Sequence, residues 1–328
     1  MAFSTEHASR LVSQGRIDEA AELVIGAAEG GDGDALFALA NWRIQGNLIR
    51  RDLGLARVLL ERAAEAGRVD ARRLHAYFLA NGTGGTADWA RARAILQDLV
   101  GHAPQLREQL DIAALRPVDD GGNPLSLPEK VELSRTPSVH MATKFLEREE
   151  SDYLVRQAAP RLQPSMVVDR ASGRTVSHPD RKCDSMLFGV ATEDLAISAV
   201  RRRIAAFADV EVSQTEPLQI IRYRPGDEFR PHFDAVPRGE NQRIITALVY
   251  LTDDYEGGET CFLKTGLSFR GKAGDILMFR NTDAAGGADP LSEHAGLPVR
   301  RGTKIVLSCW IREREYRFPP PIPASRRF

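Results

Sequence analysis

The stretch RYRPGDEFRPHFDAV, residues 222–236, decides how this chain is read. It sets His232 and Asp234 two residues apart, with only Phe233 between them. On an extended strand, residues i and i+2 share a face. Both side chains would then point the same way and could hold one object between them.

An imidazole and a carboxylate are both metal ligands. Two histidines and one carboxylate on one face of an octahedron leave three positions open, a pattern that suits non-haem Fe(II) oxygenases. The second histidine has to return on a later strand, and His294, in SEHAGLPVRRGTK, is the candidate. His7, His75, His102, His140 and His178 fall in the repeats, near the linker or in a polar loop. Ten residues after His294 comes Lys304, followed by Val306, Ser308 and Trp310 on the same strand face. A lysine buried on a barrel wall is costly unless an anion pairs with it, and a dicarboxylic co-substrate would supply that anion. Taken singly, the H-x-D pair also reads as a hydrogen-bonded surface pair, and Lys304 as an exposed edge-strand lysine.

The bulk of the sequence narrows the class. Its 328 residues suffice for two domains, and its 44 basic and 45 acidic residues give no global attraction to nucleic acid or anionic membrane. Cys183, Cys261 and Cys309 are too few and scattered for a disulfide framework or a C-x-x-C zinc site. Cys309 and Cys261 read as buried filler, and Cys183 as a thiol with no activating neighbour. No secretory signal is visible in MAFSTEHASRL, and no apolar run approaches the roughly 20 residues of a membrane span. The expectation is a soluble cytoplasmic protein with no nucleic-acid or membrane partner.

Two grammars divide the chain. In the first hundred residues Asp34-Ala35 recurs as Asp70-Ala71, Gly46 as Gly82, Asp52 as Asp88, Ala56 as Ala92 and Leu60 as Leu96. Ala20, Ala28 and Gly31 align with Ala56, Ala64 and Gly67. A fixed period of this length marks a helical-hairpin solenoid. Residues 116–137 carry four prolines and adjacent glycines and read as a linker. Beyond it, LQIIRY (218–223), ITALVYL (245–251), DILMFRN (275–281) and KIVLSCWI (304–311) read as strands, YEGGE (255–259) as a hairpin turn, and 147–159 and 192–207 as helices. The fold class is therefore α+β and multidomain: helical hairpin repeats over 1–115, a linker at 116–137, a jelly-roll domain with flanking helices over 138–318, and a Pro-rich tail at 319–328.

Residues 15–102 resemble the short tetratricopeptide-like repeats in their 36-residue variety. Residues 138–315 resemble the prolyl 4-hydroxylase family of 2-oxoglutarate and Fe(II)-dependent dioxygenases, through KFLEREESDYLV (144–155), RYRPGDEFRPHFD (222–234), QRIITALVYLTDDYEGGET (242–260) and HAGLPVRRGTKIVLSCWI (294–311). The resemblance implies a double-stranded β-helix. It implies that His232, Asp234 and His294 bind Fe(II) and carry the catalysis. It implies that Lys304 salt-bridges the distal carboxylate of 2-oxoglutarate, that Tyr223 and Thr260 hydrogen-bond it, and that Trp310 lines the pocket. Arg243 and Glu216 match substrate-side polar positions, although a structural salt bridge would explain them equally. Arg181 falls in the family's lid segment, here 167–188. Phe229 stands where the family often has a tyrosine facing substrate, and Arg312 where a histidine or another polar residue occurs. The implied reaction consumes O2 and 2-oxoglutarate, gives succinate and CO2, uses ascorbate as reductant and hydroxylates a peptidyl proline, as procollagen-proline 4-dioxygenase does. A carboxylate at 234 argues for hydroxylation over halogenation. Lys304, where many nucleic-acid demethylases have arginine, argues against a nucleic-acid substrate.

Other readings stay open at this level. The same chemistry could act on another side chain, a free amino acid or a small metabolite. The repeats could bind a protein partner or only extend the enzyme. An inactive oxygenase fold serving as scaffold, and a zinc protein using the same three ligands, leave the Lys304, Tyr223 and Thr260 set without a purpose.

Overall fold

The computed structural model describes residues 3–168, 175–177, 180–237 and 240–317. Residues 319–328, read as a Pro-rich tail, lie outside the described residues. The chain forms two compact units. One contains the residues up to Gly122 together with Val190–Ser198; the other contains Asn123–Gly189 and Ala199–Tyr316.

The first unit is a run of antiparallel helices: α1 Thr5–Ser13, α2 Ile17–Glu29, α3 Gly33–Gln45, α4 Leu53–Glu65, α5 Val69–Asn81, α6 Trp89–Leu99 and α7 Leu106–Ala114. The residues that repeat in sequence are those that start, stop and pack the helices. The Asp52 and Asp88 carboxylates accept the N–H groups of Leu55 and Arg91, capping α4 and α6. Gly46 and Gly82 end α3 and α5 in the left-handed region, with φ of 67° and 66°. That conformation costs a side chain but not glycine. Ala35, Ala56, Ala71, Ala92, Leu60 and Leu96 are 0% exposed, so the period records the helix–helix seam. Each buried leucine contributes about 1.5–3 kcal/mol by leaving water.

Segment Val190–Ser198 belongs to this unit although it is distant in sequence. Its Glu193 carbonyl accepts from Asn81, and the Leu195 N–H donates to Gln109, whose amide donates to the Tyr77 hydroxyl at 3.0 Å. A linear reading of domains does not foresee this, because the partners meet only after folding.

The second unit is built on two main antiparallel sheets, of eight and five strands. The larger runs in the order Val131–Ser134, Val139–Ala142, Ile276–Arg280, Arg243–Tyr250, Lys304–Arg312, Gln219–Tyr223, Asp184–Leu187, Gln163–Pro164. The smaller runs Ser268–Phe269, Thr260–Phe262, His294–Gly296, Glu228–His232, Arg181–Lys182. Most neighbours in space are not consecutive in sequence, the signature of a rolled sheet. Tyr250, Phe262, Leu277, Phe279 and Val306 form part of its core. Helix α8, Arg148–Ala158, opens with a reciprocal cap between Glu147 and Glu150. Glu150 also receives a bidentate ion pair from Arg203, and both side chains are almost fully buried. Arg203 lies on α9, Leu195–Ala208.

Three local readings change. Val131–Ser134, inside the stretch read as a linker, is the edge strand of the large sheet. Glu256–Gly257, read as part of a hairpin turn, pairs instead with Val299–Arg301, because Gly257 and Gly258 bend the chain through positive φ. Cys261, read as buried filler, is only partly buried, whereas Cys309 is fully buried. Among the described residues, no helix is long and apolar enough to cross a membrane.

Candidate metal centre

Strand pairing builds the centre. His294 on strand His294–Gly296 lies directly across from His232 on strand Glu228–His232. The strand ends at His232, so Asp234 does not share its face by alternation. The loop beyond the strand brings the carboxylate back, and Thr246 on strand Arg243–Tyr250 holds it by donating to Asp234 Oδ2 at 2.7 Å. Asn281 in turn donates to the Thr246 hydroxyl at 2.9 Å, so a buried relay fixes the acid.

The three ligand atoms lie within 4.8 Å of one another, and theirs is the one such His/Cys/Asp/Glu cluster among the described residues. His232 Nε2 and His294 Nε2 each stand 3.7 Å from Asp234, facing different carboxylate oxygens. His232 Nδ1 faces the Arg230 carbonyl at 2.8 Å and His294 Nδ1 faces the Ser292 carbonyl at 3.0 Å. A carbonyl can only accept, so Nδ1 carries the proton in both rings and each Nε2 keeps its lone pair for a cation. Burial pushes the His232 pKa down to about 4, with His294 adding to the effect. The ring is therefore neutral and ligand-competent at neutral pH. Burial raises the Asp234 pKa, but the two histidines and the Thr246 hydroxyl more than reverse it, and the carboxyl stays below its ordinary value.

One cavity is lined by His232, Asp234, His294, Lys304, Tyr223, Thr260, Trp310 and Phe229, together with aliphatic side chains. Lys304 is 4% exposed, and its Nζ donates to the Gly258 carbonyl at 2.6 Å. Burial lowers its pKa to about 8, against the attraction of Glu259. A Cβ at Gly258 would lie 3.2 Å from the Lys304 Cδ, so glycine here lets the ammonium reach a backbone oxygen. The Thr260 hydroxyl meets the Tyr250 hydroxyl at 2.9 Å, and both Tyr223 and Tyr250 present rings about the ammonium, at 5.4 and 5.5 Å. Burial raises the pKa of both phenols, so they remain hydrogen-bond donors.

The remaining predicted residues stand around this cavity without lining it. Glu216 takes a bidentate ion pair from Arg243, at 2.6 and 2.9 Å, and a second ion pair from Arg312. The Arg243 guanidinium lies 4.0 Å from the Trp310 ring. Arg181 stands 5.5 Å from the Phe229 ring, and Phe229 stacks on His232 with ring centres 3.5 Å apart. Part of the segment read as a lid, residues 169–174 and 178–179, lies outside the described residues. Cys183 in that segment is buried, bonds to Ser165 at 3.0 Å, and has its pKa raised by burial, so it is no activated thiol.

Sequence reasoning missed Thr246, Asn281 and Tyr250. The available signal was a polar residue inside an apolar strand: Thr246 and Tyr250 interrupt ITALVYL at even spacing.

Residues 218–312 match the family model of the 2OG-Fe(II) oxygenase superfamily. Prolyl 4-hydroxylase 1 of Arabidopsis thaliana is 36% identical over 202 residues, 56% of this chain and 71% of that protein. Probable prolyl 4-hydroxylase 10 of the same plant is 32% identical over 209 residues, 56% of this chain and 72% of that protein. A viral collagen prolyl hydroxylase from Paramecium bursaria Chlorella virus-1, solved with 2-oxoglutarate, aligns over 53% of this chain and 95% of its own, with 26% identity and a TM-score of 0.43. The chain belongs to the prolyl 4-hydroxylase family of 2-oxoglutarate- and Fe(II)-dependent oxygenases. It is thus a dioxygenase whose cofactors are Fe(II), 2-oxoglutarate and O2.

Proposed function

We propose that this dioxygenase hydroxylates a prolyl residue of a peptide or protein. The observation that carries the reading is one cavity holding both the His232–Asp234–His294 cluster and the buried ammonium of Lys304. His232, Asp234 and His294 would hold the iron: the converging Nε2 lone pairs and a carboxylate make a hard, mixed donor set suited to Fe(II). Lys304 would anchor the distal carboxylate of 2-oxoglutarate, replacing a neutral carbonyl by an anion and so offsetting the desolvation of the ammonium. Tyr223 and Thr260 would add hydroxyl donors to that carboxylate. Bound iron and 2-oxoglutarate supply the oxidising chemistry, giving succinate and CO2. The protein's part is to keep the His232 imidazole neutral, orient the carboxylate through Thr246 and exclude water with Ile221, Leu248 and Val306.

The prolyl target is supported by the two plant relatives that carry prolyl 4-hydroxylase names. Trp310, with Arg243 over its ring, lines the same cavity and would pack against such a residue. Ascorbate serves as reductant, and the three free thiols suit a cytoplasmic setting. A second reading, the same chemistry on another side chain or a small metabolite, is favoured by one departure: Phe229 takes the place of the family's substrate-facing tyrosine. Succinate release from purified protein with Fe(II), ascorbate and 2-oxoglutarate separates the two. Proline-containing peptides should stimulate it and gain 16 Da; a background that no peptide raises would favour the metabolite.

A further inference from the structure

The wall of the metal cavity carries positive charge that the neighbouring acids do not balance. Arg181 lies across from Phe229 in strand pairing and stands 5.5 Å from its ring. Its guanidinium donates to the Gln219 side chain at 3.3 Å, and Gln219 lies across from Ser308. Phe229 and Ser308 both line the cavity, so Arg181 bridges the small and large sheets at the cavity wall.

Arg181 is half-buried and makes no ion pair among the described residues, and its Nε is buried without a hydrogen-bond partner. Asp184, Asp227 and Glu228, on or beside the same strands, are paired elsewhere: with Arg222 and Arg224, with Lys182, and with Arg230. Burial is the main cause of the low His232 pKa, and the Arg181 charge lowers it further, so this cation is within electrostatic reach of the centre.

The imbalance recurs at Trp310. Arg243 and Arg312, both partly buried, share the single carboxylate of Glu216, which leaves one positive charge over. Trp310 lies under Arg243 and lines the cavity, and its Nε1 is also buried without an acceptor among the described residues. Bound cofactors do not absorb this charge: a ferrous ion, Asp234, the 2-oxoglutarate dianion and Lys304 carry no net charge between them. Partly desolvated cations without counter-charges are costly, and an anionic ligand offsets that cost.

We propose that the substrate is acidic around its target: aspartate or glutamate flanks the hydroxylated proline and brings carboxylates to Arg181 and to the Arg243–Arg312 pair. Guanidiniums meet carboxylates with the right geometry for this. Peptide carbonyls beside the proline supply the acceptor that Trp310 Nε1 lacks. The inference rests on the prolyl reading of the site and adds the charge of the sequence around the proline.

The test compares three capped peptides of equal length on the full chain: Ala-Glu-Pro-Glu-Ala, its Glu-to-Gln version and its Glu-to-Lys version. Affinity is read by calorimetry with 2-oxoglutarate and a redox-inert divalent metal, and hydroxylation of the proline by a gain of 16 Da with Fe(II). The acidic peptide should bind about tenfold tighter than the Gln peptide, one charge-assisted contact being worth about that factor, and the Lys peptide should bind weakest. Added salt should narrow the gap. Arg181→Gln should cut the Glu-over-Gln ratio about threefold or more, and Arg181→Glu should reverse the order of the Glu and Lys peptides. A merely structural defect lowers the active fraction for all peptides alike and leaves these ratios where they were. Equal binding and turnover of the three peptides, or unchanged ratios in Arg181→Glu, would overturn the charge inference and leave the prolyl reading standing. Failure of all three peptides to bind or gain 16 Da would remove both.

Discussion

Asp52 reaches only as far as Leu55, and Gly46 ends a helix whose packing partner begins at Leu53. In the helical unit, cause and effect are near neighbours in sequence. In the sheet unit, Asp234 is held by Thr246, Lys304 stands against Gly258, and His294 lies across from His232. The helical unit is built from local hydrogen bonds and a seam shared between successive repeats, so its stability accumulates repeat by repeat. The sheet unit places its chemistry at the crossing of strands that meet only once the roll has closed. A residue in the first unit can be lost with a bounded local cost. A residue in the centre of the second removes a function that no neighbour can replace.

The widest expected gap lies at the metal. His294→Ala should remove one of three ligands and reduce 2-oxoglutarate turnover about a thousandfold or more, since the cluster acts as a unit. Fe(II) titration of the purified variant should show lost affinity, and a variant that keeps native affinity and turnover would end the assignment. In the helical unit, Leu60→Ala opens a cavity at a 0%-exposed seam position and should cost about 2–5 kcal/mol by denaturant unfolding. Metal binding by the folded fraction should persist, and its disappearance would deny the separation drawn between the two units. Lys304→Ala should raise the 2-oxoglutarate requirement by about 10- to 100-fold, the worth of a charge-assisted hydrogen bond, with iron affinity nearly unchanged.

Proton linkage sharpens the same point. The Lys304 pKa is depressed to about 8, so below that pH the ammonium is charged and diacid affinity is flat. Above it the charged fraction falls about tenfold per pH unit, and affinity should fall with it until the raised pKa of the complex takes over. Calorimetric titration of 2-oxoglutarate with a redox-inert divalent metal should show this break in the native chain and lose it in Lys304→Met. The smallest effect belongs to a cap: Asp88→Ala leaves the Arg91 N–H unmet and should cost about 1 kcal/mol, with no effect on turnover.

Legibility follows the same division. The recurrences Asp52/Asp88 and Gly46/Gly82 were visible because a cap and a left-handed stop are single-residue requirements. The strand Lys304–Arg312 was visible with its inward row of Lys304, Val306, Ser308 and Trp310, because alternation is local. Three metal-ligand candidates could be named from residue type. Thr246 and Asn281 could not, because their task, holding an acid from another segment, leaves no mark beyond a polar residue in an apolar run. Nor could the shared use of Glu216 by Arg243 and Arg312, which requires three segments to converge.

By itself the sequence determined which helices form, where they stop, which strand faces turn inward and which donor atoms are available for a metal. Those are matters of backbone conformation and side-chain chemistry within a few residues. Only the tertiary structure decided that His232 and His294 keep Nε2 free, that a loop rather than a strand delivers Asp234, and that Lys304 is buried deeply enough to demand an anion. Each of these depends on the distance and dielectric between groups far apart in the chain, which no local pattern encodes.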